Sequence, residues 1–396
     1  MTATLGLGDL DLATGAATLL RRALRDVPRG ETLVVRGTAP ELAIHLDAFA
    51  RAEGHRVAWS NDDAVIESGG YQTARSSGAE RAGEHDPTRP GAVLERPPAD
   101  WGLAARGALI EAGGPAFDFT LDDKDRVWAD EAAALYRNAA AAQWDPLTAI
   151  PWADFVEPPK EVERAVVQVM TYLIENETAA LVVPARLLGR IHPHFREIVQ
   201  LLAIQAADEA RHIEVFGRRA ALSGEPLGLS TVSGRRSLKT LLDEPDPTLA
   251  GFLLSVLGEG TFLHLLRFLE EHAPDPVTRA IMRLAAQDEA RHVAFGVAHV
   301  RRHHDRDPTL LAWLARAIEH RHDALRDATG LHVEVFDALV IIAGGGVELE
   351  AVRHGAAAVA VLLSEMQDGR TKRLLKIGFS QEEATRLAAL HTKNFM

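Results

Sequence analysis

The pentapeptide Asp-Glu-Ala-Arg-His stands twice in this chain, at Asp208–His212 and again at Asp288–His292, each time inside a long stretch with helical periodicity. Each copy contains Glu-x-x-His, Glu209 with His212 and Glu289 with His292. Residues three apart on a helix share a face, so each copy aims one carboxylate and one imidazole at the same point. A single Glu-x-x-His is most often an exposed helical pair. Two nearly identical copies need a fold that turns both toward one interior.

Each copy also has a glutamate upstream on an apolar stripe. Glu259 shares a helix face with Phe252, Val256, Leu263 and Leu266 and precedes Glu289 by 30 positions. For the first copy there are two candidates. Glu177 lies in line with Met170, Ile174 and Leu181, whereas Glu175 falls on the side of Gln168 and Thr171, so Glu177 is the expected partner of Glu209, 32 positions on. Four carboxylates on apolar faces would be costly without compensation. Two divalent ions bring four positive charges, and an oxygen and imidazole ligand set without sulfur suits iron or manganese. The expected metal ligands are therefore Glu177, Glu209, His212, Glu259, Glu289 and His292, with the four glutamates also serving the chemistry. Asp208 and Asp288 are placed to accept a hydrogen bond from the second ring nitrogen of a ligand histidine, and Arg211 and Arg291 to pair with those aspartates.

These positions resemble the ferritin-like di-iron carboxylate superfamily, and Asp-Glu-x-Arg-His in particular resembles its oxidases and monooxygenases. The resemblance implies a four-helix bundle holding two iron ions, or a manganese/iron pair. It also implies dioxygen as co-substrate, an external reductant or electron donor, and a small organic substrate. Phe216 stands where ribonucleotide reductase subunits carry their radical tyrosine, Leu263 where bacterial multicomponent hydroxylases have a threonine, and Ala285 where arylamine N-oxygenases add a histidine. No subfamily pattern is met in full. A ferroxidase or iron-storage protein and a non-enzymatic scaffold are the competing expectations.

The remaining sequence fixes the setting. The 396 residues include no cysteine, which excludes disulfides, thiolate metal sites and cysteine catalysis. A net charge of −13 argues against nucleic acid or an anionic membrane as partner. No run of about 18–20 uninterrupted apolar residues is present, and MTATLGLGDLDLATG shows no export signal, so a cytoplasmic protein is expected. A homodimer is compatible with such a bundle, though no seam in the sequence requires one.

Three segments are expected: a small α/β domain over 1–67, a flexible linker over 68–98 rich in Gly, Ser, Pro and charge, and a mainly α, ferritin-like domain with extra C-terminal helices over 99–396. In the first, Thr18–Val27 and Pro40–Glu53 read as helices, and Thr32–Arg36 and Arg56–Trp59 as strands. GETLVVRG followed by a helix and then EGHRVAW resembles the TusA/SirA-like sulfur-carrier fold. That family works through a Cys-Pro pair, and Ala13-Thr14 stands here instead, so sulfur transfer is excluded and an accessory or docking role remains. In the last segment, helices are expected over Asp130–Ala142, Pro159–Ala180, Pro193–Gly217, Pro247–Glu271 and Pro276–Arg302. Breaks are expected at Gly330, at Gly344-Gly345-Gly346 and at Gly369. Gly258 and Gly260 flank Glu259 inside an apparent helix, where glycine costs roughly 1 kcal/mol each, so room for dioxygen or substrate, a local bulge or close packing is expected there.

Overall fold

The computed structural model describes residues 3–69, 79–325 and 333–390. Part of the 68–98 segment and the break expected at Gly330 lie outside the described residues. The packing separates two units, Met1–His85 with Ala104–Ala116, and Asp86–Leu103 with Phe117–Met396. These boundaries do not follow the divisions at 67 and 98. Within the polar stretch, Ala92 and Val93 are buried, and the Leu94 amide donates to Nε2 of His194 at 3.0 Å. An apolar triplet inside a Pro- and charge-rich sequence thus anchors residues 92–94 to the helical unit.

The first unit contains β1 (Ala3–Gly8), α1 (Ala17–Arg25), β2 (Thr32–Gly37), α2 (Leu42–Ala52), β3 (Arg56–Ser60) and β4 (Asp63–Glu67). The sheet order is β1-β2-β4-β3, with β1 and β2 parallel and the other pairs antiparallel. Alternation places Leu33 and Val35 of β2 and Ala64 and Ile66 of β4 in the core, against Leu20 and Leu24 of α1 and Leu46 of α2. β3 turns into β4 through Asn61, whose φ of 54° fits the left-handed conformation that two-residue hairpin turns require.

The second unit is built around a bundle of four helices, Lys160–Leu188, Arg196–Ala220, Pro247–Glu271 and Pro276–Arg306. α3 (Ala132–Ala141) precedes α4 (Lys160–Leu188) and α5 (Arg196–Ala220), which pack against each other. After α6 (Val232–Leu242) come α7 (Pro247–Glu271) and α8 (Pro276–Arg306), the second packed pair. α9 (Leu310–Leu325), α10 (Val333–Gly344), α11 (Leu349–Lys376) and α12 (Gln381–Ala389) complete it, with α10 on α4 and α11 on α7. Pro247 and Pro276 sit in first turns, where a missing amide donor does no harm. Asp246 and Asp275 cap those helices by accepting from the amides of Thr248 and Thr278 at 2.9 Å. α4 and α7 are long and apolar enough to cross a membrane, but both are core helices, mostly buried inside the protein.

Two glycine readings have different outcomes. The helix expected to break at Gly369 runs straight through it, from Leu349 to Lys376. A Cβ there would stand 2.2 Å from Nε2 of His264, so this glycine serves close approach of α11 to α7 rather than a turn. Around Glu259 the backbone does bulge: Phe252–Glu259 forms a π-helical stretch inside α7. Close packing is present as well, because a Cβ on Gly260 would meet Nε of Arg373 at 2.3 Å.

Candidate metal centre

The helices α4, α5, α7 and α8 each bring one part of the expected set to a common point. Glu177 comes from α4 and Glu259 from the end of the π stretch. Asp208, Glu209 and His212 come from α5, and Asp288, Glu289 and His292 from α8. None of these eight residues is more than 5% exposed. Glu175 is only half-buried and is not among the groups that converge.

The carboxylates and imidazoles form two overlapping groups, Glu177, Glu209, His212 and Glu289, and Glu209, Glu259, Glu289 and His292. Within each, one ligand atom per residue lies within 4.8 Å of all the others. Glu209 and Glu289 belong to both. Nδ1 of His212 is 3.3 Å from Glu209, 3.4 Å from Glu289 and 3.6 Å from Glu177. Nδ1 of His292 is 3.1 Å from Glu209 and 3.4 Å from Glu289.

These close approaches satisfy no hydrogen bonds. Both oxygens of Glu209 and of Glu289, one each of Glu177 and Glu259, and Nδ1 of both histidines are buried without a partner among the described residues. Buried polar atoms are almost always paired, so eight orphans pointing at one spot mark a place for cations. Protonation is the alternative that the bare protein takes. Burial and the neighbouring Glu209 push Glu177 up to about 8, and burial with Glu289 drives Glu259 well above the usual carboxylate range. Burial disfavours the charged imidazolium of His212, but its bond to Asp288 and the closeness of the facing glutamates win and raise it. His292 is raised in the same way, by Glu289, Glu209 and Asp208 against burial.

The other ring nitrogens are held by the aspartates, and the pairing is crossed. Nε2 of His212 meets Asp288 at 3.1 Å, and Nε2 of His292 meets Asp208 at 3.2 Å. Burial opposes ionisation of both aspartates, but these bonds keep Asp288 and Asp208 below the ordinary range. Arg211 donates to Asp208 and, at 2.9 Å, to Asp288, while Arg291 pairs with Asp288 and lies 3.8 Å from Asp208. Each aspartate is thus fixed by both motif arginines.

Three further residues take part. Gln143 donates to Asp208 at 2.8 Å and accepts from Arg211 at 2.7 Å. Trp144 donates to Asp288 at 2.8 Å, stacks beside His212, and carries the Arg211 guanidinium 4.6 Å over its ring. Both follow the end of α3, outside the four-helix bundle. Gln205 donates to Glu259 at 3.0 Å and stands one helical turn before Glu209, a spacing that marks it as a neighbour of the cluster.

No protein family and no curated protein matches this sequence. Among solved structures it is similar to an R2-like ligand-binding oxidase with aerobically reconstituted Mn/Fe cofactor. The TM-score is 0.50 at 18% identity, over 64% of this chain and 95% of the other. A second variant of that oxidase, anaerobically reconstituted, gives the same values, and a third matches at 17% identity with 98% of its own length covered. The fold is ferritin-like. In this ferritin-like bundle Phe216 is buried 6.2 Å from the His212 ring, Ala285 is buried, and Tyr172 is buried against Phe262.

An apolar pocket of about 550 Å³, mouth included, adjoins the cluster. Leu202, Leu254 and Phe295 are among its walls, and Gln205, Ser255 and His299 give it polar points. Gln205 is shared, since its amide holds Glu259. Burial brings His299 down to about 4, so its ring is neutral, with Nδ1 against the Trp128 carbonyl.

Proposed function

We propose that the ferritin-like unit is a di-metal oxidoreductase that uses dioxygen to oxidise a small organic molecule. The observation that carries this reading is the set of eight unpartnered buried atoms on six residues of four helices. Their donor types fit the group: four carboxylates balance two divalent ions, and hard oxygen with imidazole nitrogen suits iron or a manganese/iron pair. Glu177, His212, Glu259 and His292 would hold one ion or the other, with Glu209 and Glu289 common to both. When bound, such ions supply redox equivalents and a template for dioxygen.

The protein's own contribution is positioning and charge control. Asp288 and Asp208 fix the imidazole rings so that Nδ1 faces the cluster. Arg211 and Arg291 balance the aspartates. Gln205 holds one oxygen of Glu259 and leaves the other directed inward. The pocket, walled mainly by apolar side chains, is the space we assign to substrate. Electrons beyond those the substrate supplies come from an external donor, because the chain has no cysteine for a redox relay of its own.

The test is dioxygen consumption by iron-loaded protein with a chemical reductant and a panel of small aromatic and aliphatic molecules. Substrate-dependent uptake is expected, lost in Leu254→Trp, which fills the pocket while leaving the metal complement intact. Iron accumulation far beyond the cluster, without substrate dependence, would replace this reading with storage.

A further inference from the structure

On a different face of α7 from the apolar pocket lies a second, narrower cavity, about 320 Å³ with its mouth included. Leu253, Leu257 and Ile318 form its apolar wall, and Arg321, His322 and Arg370 its polar one. Arg370 is 4% exposed and Arg373, one turn further along α11, 7%. Arg373 has a structural duty: its Nε donates to the Val256 carbonyl at 2.7 Å, within the π stretch. Among the described residues Arg370 has one hydrogen bond, 3.3 Å to the Thr261 hydroxyl, and its Nε is buried without a partner. Arg321 reaches Ser237 at 3.2 Å, and its Nε is likewise buried and unpartnered.

What distinguishes these arginines is the absence of any counter-charge among the described residues. Arg219 is fully buried too, but Glu163 and Asp275 clasp it at 2.6 and 2.8 Å, and Arg302 has Asp125 at 2.7 Å. The charged groups acting on Arg370 are Arg373 and Arg321, both repulsive, and with burial they bring its guanidinium down to about 9. A guanidinium stays charged at neutral pH, and a buried charge without a partner is strongly unfavourable. Its planar fork matches a carboxylate.

We propose that this cavity binds a small organic carboxylate, its head received by Arg370 and Arg321 and its hydrocarbon body resting on Leu253, Leu257 and Ile318. The site is separate from the di-metal cluster and does not depend on the oxidase reading. An apolar wall facing paired cations selects an amphipathic anion over a hydrated one.

Calorimetric titration of the full-length protein with benzoate tests this, with benzamide as the neutral analogue and inorganic phosphate as the hydrated anion. Saturable benzoate binding is expected, with benzamide weaker by about tenfold or more and no binding of phosphate. Arg370→Met should lose benzoate affinity by a similar factor while the ligand-free variant unfolds at the same or a higher temperature, because an unpaired buried charge has gone. Arg321→Met supplies the same binding test should Arg370→Met fold poorly. The proposal is overturned if benzoate does not bind, if benzamide or phosphate binds as well, or if the folded arginine variants keep wild-type affinity for benzoate.

Discussion

Asp208 holds the imidazole of His292, 84 positions along the chain, and not that of His212 in its own motif. The reciprocal bond joins Asp288 to His212. Each motif therefore supplies a histidine to the cluster and the orienting aspartate for the other motif's histidine. The two halves are mutually dependent, and the crossing predicts which substitutions act together. Asp208→Asn should weaken metal retention by about 10–100-fold and couple more strongly to His292→Ala, its direct partner, than to His212→Ala, which it reaches only through the arginines and Asp288. Metal affinities of the single and double variants measure this, and stronger coupling of Asp208 to His212 instead would refute it.

The crowding of unpaired acids predicts a pH dependence confined to the metal-free protein. Glu177 is raised from 4.5 to about 8, and Glu259, His212 and His292 are also raised. Raised folded-state values mean that the folded protein holds protons the unfolded chain has released, so stability falls as pH rises through that interval. Histidines lowered by burial, such as His299 and His264, work the other way below about pH 6.5, so metal-free protein should lose stability between about pH 6.5 and 8, where only the raised groups still titrate. Bound metal removes those protons and flattens the profile. Urea midpoints across this range, with and without iron, show whether it does; a metal-free profile that rises toward pH 8 would contradict the assignment.

Gly260→Ala should run against helix propensity. Alanine normally stabilises a helix interior by about 1 kcal/mol over glycine. Here its Cβ would press on the Arg373 guanidinium, whose Nε holds the Val256 carbonyl of the π stretch. A net loss of about 1–3 kcal/mol is expected from the forced displacement. Metal retention should also be reduced, since Glu259 ends that stretch. Thermal denaturation of the metal-free and metal-loaded variant separates the two effects.

Arg219→Ala should destabilise without touching the cluster. Its guanidinium is buried between Glu163 and Asp275 and donates to Thr278 at 2.7 Å. Removing it strands two buried carboxylates, at a cost of about 3–5 kcal/mol. Metal stoichiometry of the folded fraction should be unchanged.

Much of the site was legible because its geometry is helical and local. The apolar line through Met170, Ile174 and Leu181 separated Glu177 from Glu175, and the structure puts Glu177 in the cluster. The three-residue spacing of each motif fixed which carboxylate and imidazole face together. The crossing of the aspartates was not legible, since it depends on how α5 and α8 lie against each other. Gln143 and Trp144 escaped notice because they arrive from a turn outside the bundle. Gln205 was within reach, four positions before Glu209 on the same face.

In the first unit β1 and β4 went unread, although Leu5 and Leu7, and Ala64 and Ile66, show the alternation of short strands. Gly369 misled as a helix break because a glycine admitting a neighbouring side chain and a glycine ending a helix look alike in one dimension.

The measurement that tests the central claim most directly is an anaerobic titration with ferrous iron, followed by air, counting iron retained per chain in the wild type and in Glu209→Ala. Because Glu209 belongs to both groups of ligand atoms, the account predicts retention that stops at about two ions per chain and collapses in the variant. No retention by the wild type, or an unchanged count in Glu209→Ala, would contradict it.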